Sequence, residues 1–335
     1  MKKLTAMITS LFGAVVMMAS VASAADIKPA VVYDMGGKFD KSFNEGVWNG
    51  VKKFTAETGI KVMEFEVTNP TQREQAMRRM AERGATIVLG VGFAQADAIS
   101  VVAAEYPDVQ FSIIDVGWLS APNLRQYVFK EHEGSYLVGV AAAIASKTGK
   151  VGFVGGMDIP LISKFACGYV GGVKSVNSSA DVYQNMTGTT PSAWNDPAKG
   201  AELTKSQIDR GADVVYHAAG GTGLGVIQAA ADAGKLAIGV DSNQNGIAPG
   251  SVLTSMLKRV DVAAYETFKD AQDGKFTADI KSLGVAEGGV DWALDDNNAS
   301  LITAEIKSAV EAARADILSG KVSVHDYMSD SNCPY

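Results

Sequence analysis

Short apolar runs rich in β-branched residues alternate along the chain with segments of helical periodicity. Buried strands are predicted for these runs, which lie at 29–34, 61–67, 86–92, 109–115, 150–156, 181–183, 212–219, 236–241 and 252–257. Between them, apolar residues recur on one helical face, as in the stripe Phe43, Val47, Val51 and Phe54. Such alternation predicts parallel sheets that are covered by helices.

The number of predicted strands is too large for one small sheet, and the pattern restarts near Lys150. Two similar lobes built from βαβ units follow as the main interpretation, with an eight-stranded β/α barrel as the weaker alternative. No low-complexity linker separates the lobes, so we expect a hinge made of direct strand crossings. The last quarter differs, because a loop-like stretch at 284–298 precedes an apolar helical stripe from Ile302 to Ile317 and a short segment at 322–327.

The first residues have the order of a secretory signal peptide. Lys2 and Lys3 precede an apolar run at 11–18, and small residues then lead to Ala24. A membrane anchor is the alternative, but the apolar run is shorter than the roughly 20 residues that a spanning helix needs. We therefore expect residues 1–24 to be removed by cleavage near Ala24, and the absence of a cysteine at this point predicts an exported protein that is not lipidated.

Charge and cysteine content restrict the possible functions. The 30 basic and 37 acidic residues give a net charge of −7, which disfavours a nucleic-acid partner. With only two cysteines and three histidines, a four-cysteine or multi-histidine metal centre is poorly supplied, and no metal site is predicted. Cys167 and Cys333 either form a disulfide in an oxidising compartment or remain as a buried and a free thiol.

Three of the apolar runs end in an aspartate that is followed by loop-forming or small residues. These are Asp34, Asp115 and Asp241. Because ligands bind beyond the carboxyl ends of parallel strands, we expect the three carboxylates to converge on one cleft. Taken singly, each is better explained as a helix cap or a turn residue. Together they suit a hydroxyl-rich ligand or a divalent cation, since an ionised carboxylate only accepts hydrogen bonds or coordinates metal.

Two loops imitate known binding motifs but lack a residue that each motif requires. Residues 241–246 copy the first half of an EF-hand loop, yet the position of the bidentate glutamate is occupied by Val252, so we reject calcium. The glycine-rich segment 220–225 has neither the lysine of a P-loop nor the dinucleotide-binding spacing. We interpret Gly221 as a point of close backbone approach to a neutral ligand, with a plain turn as the alternative.

Aromatic and amide side chains complete the set of candidates. Phe43 and Asn44 stand at a predicted helix start near Asp34, where the ring could stack on a planar base and the amide could read the base edge. Core packing is the alternative for Phe43. Lys258 follows the last predicted strand and is the cation placed to pair with the carboxylates. Further candidates at the ends of strands or helices are Trp118, Phe165, Tyr216 and His217.

At these residues the chain resembles the basic membrane protein family, also called the purine nucleoside receptor A family, of ABC-importer substrate-binding proteins. The matching segments lie at 34–44, 129–135, 152–158, 217–223 and 239–241. The resemblance implies an α/β type I periplasmic-binding-protein fold, in which two doubly wound parallel-sheet lobes are joined by a three-crossover hinge and close on a nucleoside. The expected lobes are 25–128 plus about 254–283, and 129–253 plus about 284–330.

The resemblance also implies roles for individual residues. Asp34 and Asn44 would contact the base, and Phe43 would cover one of its faces. The ribose would be surrounded by Asp115, Asp241 and Lys258. A second stacking ring would come from the other lobe, where the candidates are Phe165, Tyr216 and His217.

The function implied is that of a periplasmic receptor without enzymatic activity, catalytic residues or cofactor. It would capture a purine nucleoside such as adenosine, guanosine or inosine, act as a monomer, and deliver its ligand to the permease and ATPase subunits of an ABC importer. Alternatives are a free purine base, a flavin-like molecule or a pentose as the ligand, and more distantly a nucleoside-hydrolysing enzyme that uses the clustered carboxylates. A transcription regulator on the same fold is disfavoured, because the residues before Ala30 leave no room for a helix-turn-helix.

Overall fold

Two six-stranded sheets organise residues 26–335, the part of the chain that this computed structural model describes. The predicted signal peptide lies outside the described residues. The first sheet contains β1 (Pro29–Tyr33), β2 (Met63–Glu66), β3 (Ile87–Gly90), β4 (Gln110–Ile114), β5 (Leu124–Phe129) and β11 (Ile280–Leu283). The second sheet contains β6 (Lys150–Met157), β7 (Asp181–Gly188), β8 (Val214–Ala218), β9 (Leu236–Asp241), β10 (Val252–Lys258) and β12 (Val290–Trp292).

Helices cover both faces of each sheet. They are α1 (Phe43–Thr58), α2 (Gln72–Glu82), α3 (Ala96–Glu105), α4 (Glu131–Ala145), α5 (Pro160–Val176), α6 (Pro197–Asp209), α7 (Gly223–Asp232), α8 (Val260–Gln272) and α9 (Ala304–Leu318). In α1 the predicted stripe is buried at Val47, Val51 and Phe54, and Gly59 ends the helix in the left-handed conformation. None of the helices in residues 26–335 is long and apolar enough to cross a membrane.

The two sheets have the same strand order. The first runs β11-β5-β4-β3-β1-β2 and the second runs β12-β10-β9-β8-β6-β7, so that β4 corresponds to β9 and β1 to β6. All neighbours pair in parallel except β12, which is antiparallel to β10. The prediction of two doubly wound lobes with a type I periplasmic-binding fold is therefore confirmed, and the barrel alternative is wrong.

Three chain crossings join the lobes. They lie between β5 and α4, between β10 and α8, and between β11 and β12. Helix α4 packs against α5 in the second lobe, whereas α8 packs against α1 in the first. The lobe boundary expected near residue 254 falls inside β10, which continues in the second sheet to Lys258.

In each lobe, the helix after the first strand lies very close to the helix that follows a crossing. A Cβ added to Gly50 of α1 would lie 2.1 Å from the carbonyl oxygen of Asp261 in α8. A Cβ added to Gly172 of α5 would lie 2.1 Å from the carbonyl oxygen of Tyr136 in α4. Glycine at these positions allows the two helix pairs to touch backbone to backbone.

Three strands were not predicted from the sequence. Strand β5 was missed because Arg125 and Gln126 interrupt its apolar pattern, although both are buried. Strand β12 falls in the stretch expected to be a loop, and β11 is an edge strand with alternating exposure. Strand β7 continues beyond the predicted end at 183.

The two cysteines form a disulfide, which decides between the two readings of the sequence. The Cα atoms of Cys167 and Cys333 are 5.6 Å apart, and no free cysteine occurs in residues 26–335. The bond fixes the C-terminal segment to α5, where Tyr335 lies against Gly171. The main-chain nitrogen of His325 donates a hydrogen bond to the Tyr335 hydroxyl (3.0 Å), which holds the segment together.

Candidate binding site between the lobes

A cavity lies between the carboxyl ends of the two sheets. Its polar side chains are Asp34, Asp40, Asn44, Asp115, Asp241 and Lys258. Its aromatic side chains are Phe43, Phe93, Phe165 and Trp194. Both lobes thus contribute aromatic rings and carboxylates to one cavity.

Two of the aspartates occupy equivalent positions in the two lobes. Asp115 directly follows β4, and Asp241 ends β9, its counterpart in the second sheet. Both residues have a left-handed backbone, with φ of 68° and 62°. Aspartate tolerates this conformation better than most residues, and such geometry is concentrated at ligand-binding turns. The same strained turn therefore presents a carboxylate to the cavity from each side.

Lys258 is the central cation of the site. Its Nζ lies 2.7 Å from Oδ1 of Asp115 and 2.9 Å from Oε1 of Glu131, and its side chain is almost fully buried. The ammonium also lies over three phenylalanine rings, at 5.1, 5.2 and 5.5 Å from the centroids of Phe43, Phe129 and Phe165. These contacts supply both charge pairing and cation–π attraction to a desolvated ammonium.

Burial dominates the ionisation of the two strand-end carboxylates. It raises the pKa of Asp115 to about 6, although the ammonium of Lys258 opposes the rise. It also raises the pKa of Asp241 to about 6, against the opposing effects of Lys258 and of a hydrogen bond from Ser42. Burial alone would lower the pKa of Lys258, but Asp115 and Glu131 raise it, so the lysine stays charged.

Asn44 faces the cavity as a hydrogen-bond acceptor. Its Nδ2 donates to the main-chain oxygens of Asp34 (3.2 Å) and Gly37 (3.1 Å), which occupies both amide protons. The reversed amide would place an oxygen against two carbonyl oxygens, so this orientation is fixed. Oδ1 is buried and has no partner among residues 26–335.

Asp34 adds a second acceptor beside Asn44. Its Oδ1 accepts hydrogen bonds from Nε (3.2 Å) and Nη2 (2.9 Å) of Arg73. The guanidinium thereby holds the carboxylate in place through two bonds to one oxygen. The side chains of Asp34 and Asn44 consequently offer acceptors to a ligand in this part of the cavity.

Asp40 fixes the start of the helix that carries two of the predicted site residues. Its carboxylate accepts hydrogen bonds from the main-chain nitrogens of Ser42 (2.8 Å), Asn44 (3.0 Å) and Glu45 (3.1 Å). These are the orphan donors at the first turn of α1. Burial raises the pKa of Asp40 to about 6 in spite of these bonds. The cap therefore sets the direction of Phe43 and Asn44.

The lobes touch directly beside the cavity. The Ser42 hydroxyl in the first lobe donates to Oδ2 of Asp241 in the second. The Ser242 hydroxyl donates to the main-chain oxygen of Ser42 (2.9 Å), and Nε2 of Gln244 donates to that of Lys41 (3.0 Å). The lobes are thus hydrogen-bonded to each other beside the cavity, and a carboxylate of one lobe is held by a hydroxyl of the other.

Seven of the eleven site residues expected from the sequence line the cavity. They are Asp34, Phe43, Asn44, Asp115, Phe165, Asp241 and Lys258. Phe165 is the one of the three expected stacking candidates that the fold brings to the cavity. Gly221 does not line it, whereas its neighbour Gly220 does. Trp118 is 62% exposed and lies outside the cavity lining.

Tyr216 and His217 lie in the core of the second lobe. Both belong to β8 and are fully buried on opposite faces of the sheet. The Tyr216 hydroxyl is hydrogen-bonded to the Ser135 hydroxyl (3.1 Å), and Nε2 of His217 lies 2.9 Å from Oε1 of Gln244. Burial lowers the pKa of His217 to about 4. Their position near a strand end suggested a site, but neither side chain lines the cavity.

Sequence reasoning missed several residues around the cavity. Trp194 ends a short helical turn just before α6, and its ring fills the space above Gly156, where a Cβ would lie 2.1 Å away. The run from Asn195 to Pro197 is a helix-start signal that would have placed Trp194 at a loop end. Glu131 lay within a segment used for the family resemblance but had no role assigned. No group of three or more His, Cys, Asp or Glu in residues 26–335 is placed to hold a metal ion.

Comparison with known proteins identifies relatives along almost the whole chain. A family model described as "ABC transporter substrate-binding protein PnrA-like" matches residues 27–326. The "ABC transporter nucleoside-binding protein BmpA" of Lactococcus lactis is 34% identical over 321 residues, covering 89% of both chains. "Basic membrane protein A" of Borreliella afzelii is 29% identical over 308 residues, covering 88% of this chain and 91% of its own.

A solved structure shows the same architecture. A solute-binding protein of an ABC transporter system from Aeropyrum pernix superposes with a TM-score of 0.82 at 28% identity. The superposition covers 90% of this chain and 93% of that one. Together with the family match, it confirms the resemblance that was inferred from the sequence segments.

Proposed function

Since the chain belongs to the PnrA-like family of ABC transporter substrate-binding proteins, we propose that its interlobe cavity captures a purine nucleoside and presents it to a membrane permease. The observation that carries this proposal is the pair of equivalent carboxylates, Asp115 and Asp241, which face one cavity together with Lys258. The carboxylates can accept hydrogen bonds from the two vicinal hydroxyl groups of a ribose, and the ammonium can donate to them.

The aromatic side chains of the cavity support the base. Phe43, Phe93, Phe165 and Trp194 supply aromatic surface for a planar ring system. Stacking of a base on such a ring contributes on the order of 1–3 kcal/mol. A pentose alone would leave these rings without a partner, and a free base would leave the carboxylates and Lys258 without one. The nucleoside is the ligand that satisfies both the rings and the charged groups.

The fixed amide of Asn44 supports a further restriction on the base. Asn44 and Asp34 both offer acceptor oxygens, so the base edge that they meet must donate hydrogen bonds. Adenosine does so through its exocyclic amino group, and inosine and guanosine do so through N1–H. Purine riboside has no N–H group on its base. We therefore expect it to bind more weakly than the other three, by about 10- to 100-fold.

Isothermal titration of the purified protein tests the proposal. Adenosine, inosine, guanosine, purine riboside, adenine and ribose should be titrated under one set of conditions. Binding of at least one amino- or N1–H-bearing nucleoside, with adenine and ribose far weaker, is the expected result. No heat with any nucleoside would refute the proposal, while tight binding of adenine alone would move the function to free-base capture.

The proposed role is binding without catalysis. The relatives of this chain named above are binding proteins, which supports this role. The protein would act in the periplasm as a monomer that is not lipidated, and deliver its ligand to the permease and ATPase of an importer. Incubation with inosine should leave the nucleoside intact by liquid chromatography. Released hypoxanthine that scales with protein concentration would instead indicate a hydrolase.

A further inference from the structure

Charged side chains of alternating sign run from the cavity to the far side of the hinge. The chain starts at Asp115, continues through Lys258, Glu131 and Lys164, and ends at Asp326. Successive N···O distances are 2.7, 2.9, 3.0 and 3.4 Å. Only the first two residues line the cavity, so the ligand site is electrostatically connected to groups that a ligand does not reach.

Glu131 and Lys164 form the middle of this chain. Glu131 is the first residue of α4, directly after the first crossing, and is 1% exposed. Burial alone would raise the pKa of Glu131, but Lys164 and Lys258 lower it to about 2. Nζ of Lys164, which comes from α5, also donates to the main-chain oxygen of Phe129 (2.7 Å). Lys164 therefore joins a second-lobe helix to both sides of the first crossing.

We propose that Lys164, acting through Glu131, is a positioning residue that keeps the ammonium of Lys258 on Asp115 and on the ribose hydroxyls of the ligand. The inference rests on the proposed function of the cavity. Glu131 has two ammonium partners, one on each carboxylate oxygen. A buried carboxylate that loses one of two cations draws more strongly on the other. Without Lys164, Glu131 would compete with Asp115 and the ligand for the charge of Lys258.

The outer end of the chain is held in place covalently. Asp326 lies in the C-terminal segment, with Oδ2 3.4 Å from Nζ of Lys164. Cys167, one turn further along α5 from Lys164, is bonded to Cys333 of the same segment. The disulfide thus keeps the carboxylate of Asp326 near the ammonium of Lys164. Lys164 is consequently fixed between two carboxylates rather than free to leave Glu131.

The test separates ribose recognition from general affinity. Lys164→Met and Lys164→Gln should be titrated with inosine and with 2′,3′-dideoxyinosine, which lacks both ring hydroxyls. The glutamine variant keeps a donor for the Phe129 oxygen, so it provides the measurement even if the methionine variant does not fold. We expect inosine affinity to fall by about 10- to 100-fold, whereas dideoxyinosine affinity changes by less than about twofold. The ratio of inosine affinity to dideoxyinosine affinity would therefore fall by nearly the same factor as the inosine affinity.

Lys174→Met is the matched control. Lys174 lies on the same helix and donates to the main-chain oxygens of Ser178 (3.1 Å) and Ala180 (2.8 Å), away from the cavity. Its loss should lower the melting temperature and leave the ligand ratio unchanged. An unchanged ratio in both Lys164 variants, with normal inosine binding by the parent protein, would overturn this inference alone. Failure of the parent protein to bind any nucleoside would overturn the proposed function as well.

Discussion

The two lobes share one strand order but hold their equivalent aspartates by different means. Asp115 of the first lobe is paired with an ammonium, that of Lys258 at the end of β10 in the second lobe. Asp241 of the second lobe accepts a hydrogen bond from a neutral hydroxyl, that of Ser42 in the first lobe. Each carboxylate is thus completed by the opposite lobe, but only one of them meets a full charge directly.

This difference makes the two halves of the site unequal although the two sheets have the same strand order. Lys258 lies within ion-pair distance of Asp115 (2.7 Å) and Glu131 (2.9 Å), but not of Asp241. The hydrogen bond to Asp241 forms only when the lobes are in contact, because the Ser42 hydroxyl that donates it belongs to the other lobe. We therefore expect the Asp115 side to govern stability and affinity, and the Asp241 side to govern closure.

The largest effect is expected from Lys258→Met, which would leave Asp115 and Glu131 buried without their shared cation. Removal of one partner from a buried ion pair typically costs about 3–5 kcal/mol. Urea denaturation should show a loss of this size, and titration should show no measurable nucleoside binding. Lys281→Met is the control, since Lys281 pairs with Asp270 at 3.4 Å in a more exposed position. A loss no larger than that of the control would contradict the central role of the cation.

Neutral variants of the two aspartates compare the lobes directly. Asparagine is the right replacement because it tolerates the left-handed backbone at both positions, unlike alanine. Asp115→Asn should reduce nucleoside affinity by about 100-fold and Asp241→Asn by about tenfold, within the range for charge-assisted hydrogen bonds. Titration calorimetry provides both values. Equal losses would mean that the position of Lys258 does not distinguish the lobes, and near-normal binding by both would place the site elsewhere.

The pH dependence of affinity is expected to run opposite to that of stability. Burial raises the pKa of both aspartates from 3.8 to about 6, so the ligand-free fold binds protons more tightly than the unfolded chain. Their contribution to stability is therefore present below pH 4 and is lost as pH rises through about 6. Ribose hydroxyls need the ionised form, so affinity should fall up to about tenfold per pH unit for each carboxylate below pH 6.

Titrations and melting curves between pH 5 and pH 8 would measure the two trends. Asp115→Asn and Asp241→Asn should each flatten part of the affinity profile. An affinity that stays constant across this range would show that neither carboxylate changes its ionisation on binding. A steeper dependence in the variants than in the parent protein would contradict the assignment of these groups.

The smallest effect is expected from Ser42→Ala, which removes the hydroxyl that one lobe offers to Asp241 of the other. The closed form should lose about 0.5–1.5 kcal/mol, which corresponds to a two- to tenfold weaker apparent affinity. Small-angle scattering of the ligand-bound variant should show a larger open fraction. Ser175→Ala removes a hydrogen bond of 2.7 Å to the Gly172 oxygen within the second lobe and should leave closure unchanged.

The sequence identified those parts of the site that follow from strand direction. Asp34, Asp115 and Asp241 were found because parallel strands end at the same edge, and a helix start placed Phe43 and Asn44 beside them. Strand β5 was missed because Arg125 interrupts its apolar run. Its charge is compensated by Asp270 at 2.7 Å, far along the chain, and a local pattern carries no information about such a partner.

The same limit explains why three of the expected residues do not line the cavity. Trp118, Tyr216 and His217 stand near strand ends, but their side chains point to solvent or into the core, which depends on the neighbouring helices. Glu131 and Lys164 come from two different helices and meet only through the packing of α4 on α5. Position along a strand can be predicted from sequence, whereas contacts between the ends of separate helices require the fold.

The Cys167–Cys333 bond has a consequence for proteolysis. It closes a covalent ring that leaves the second lobe at Lys258, passes through α8 and β11 of the first lobe, and returns at β12. Two of the three crossings lie within this ring and the first lies outside it. A protease that cuts one crossing of the ring therefore opens it without releasing any fragment until a reductant is added. If both crossings were cut, the piece between them would no longer be covalently attached. Packing alone would then hold it in place.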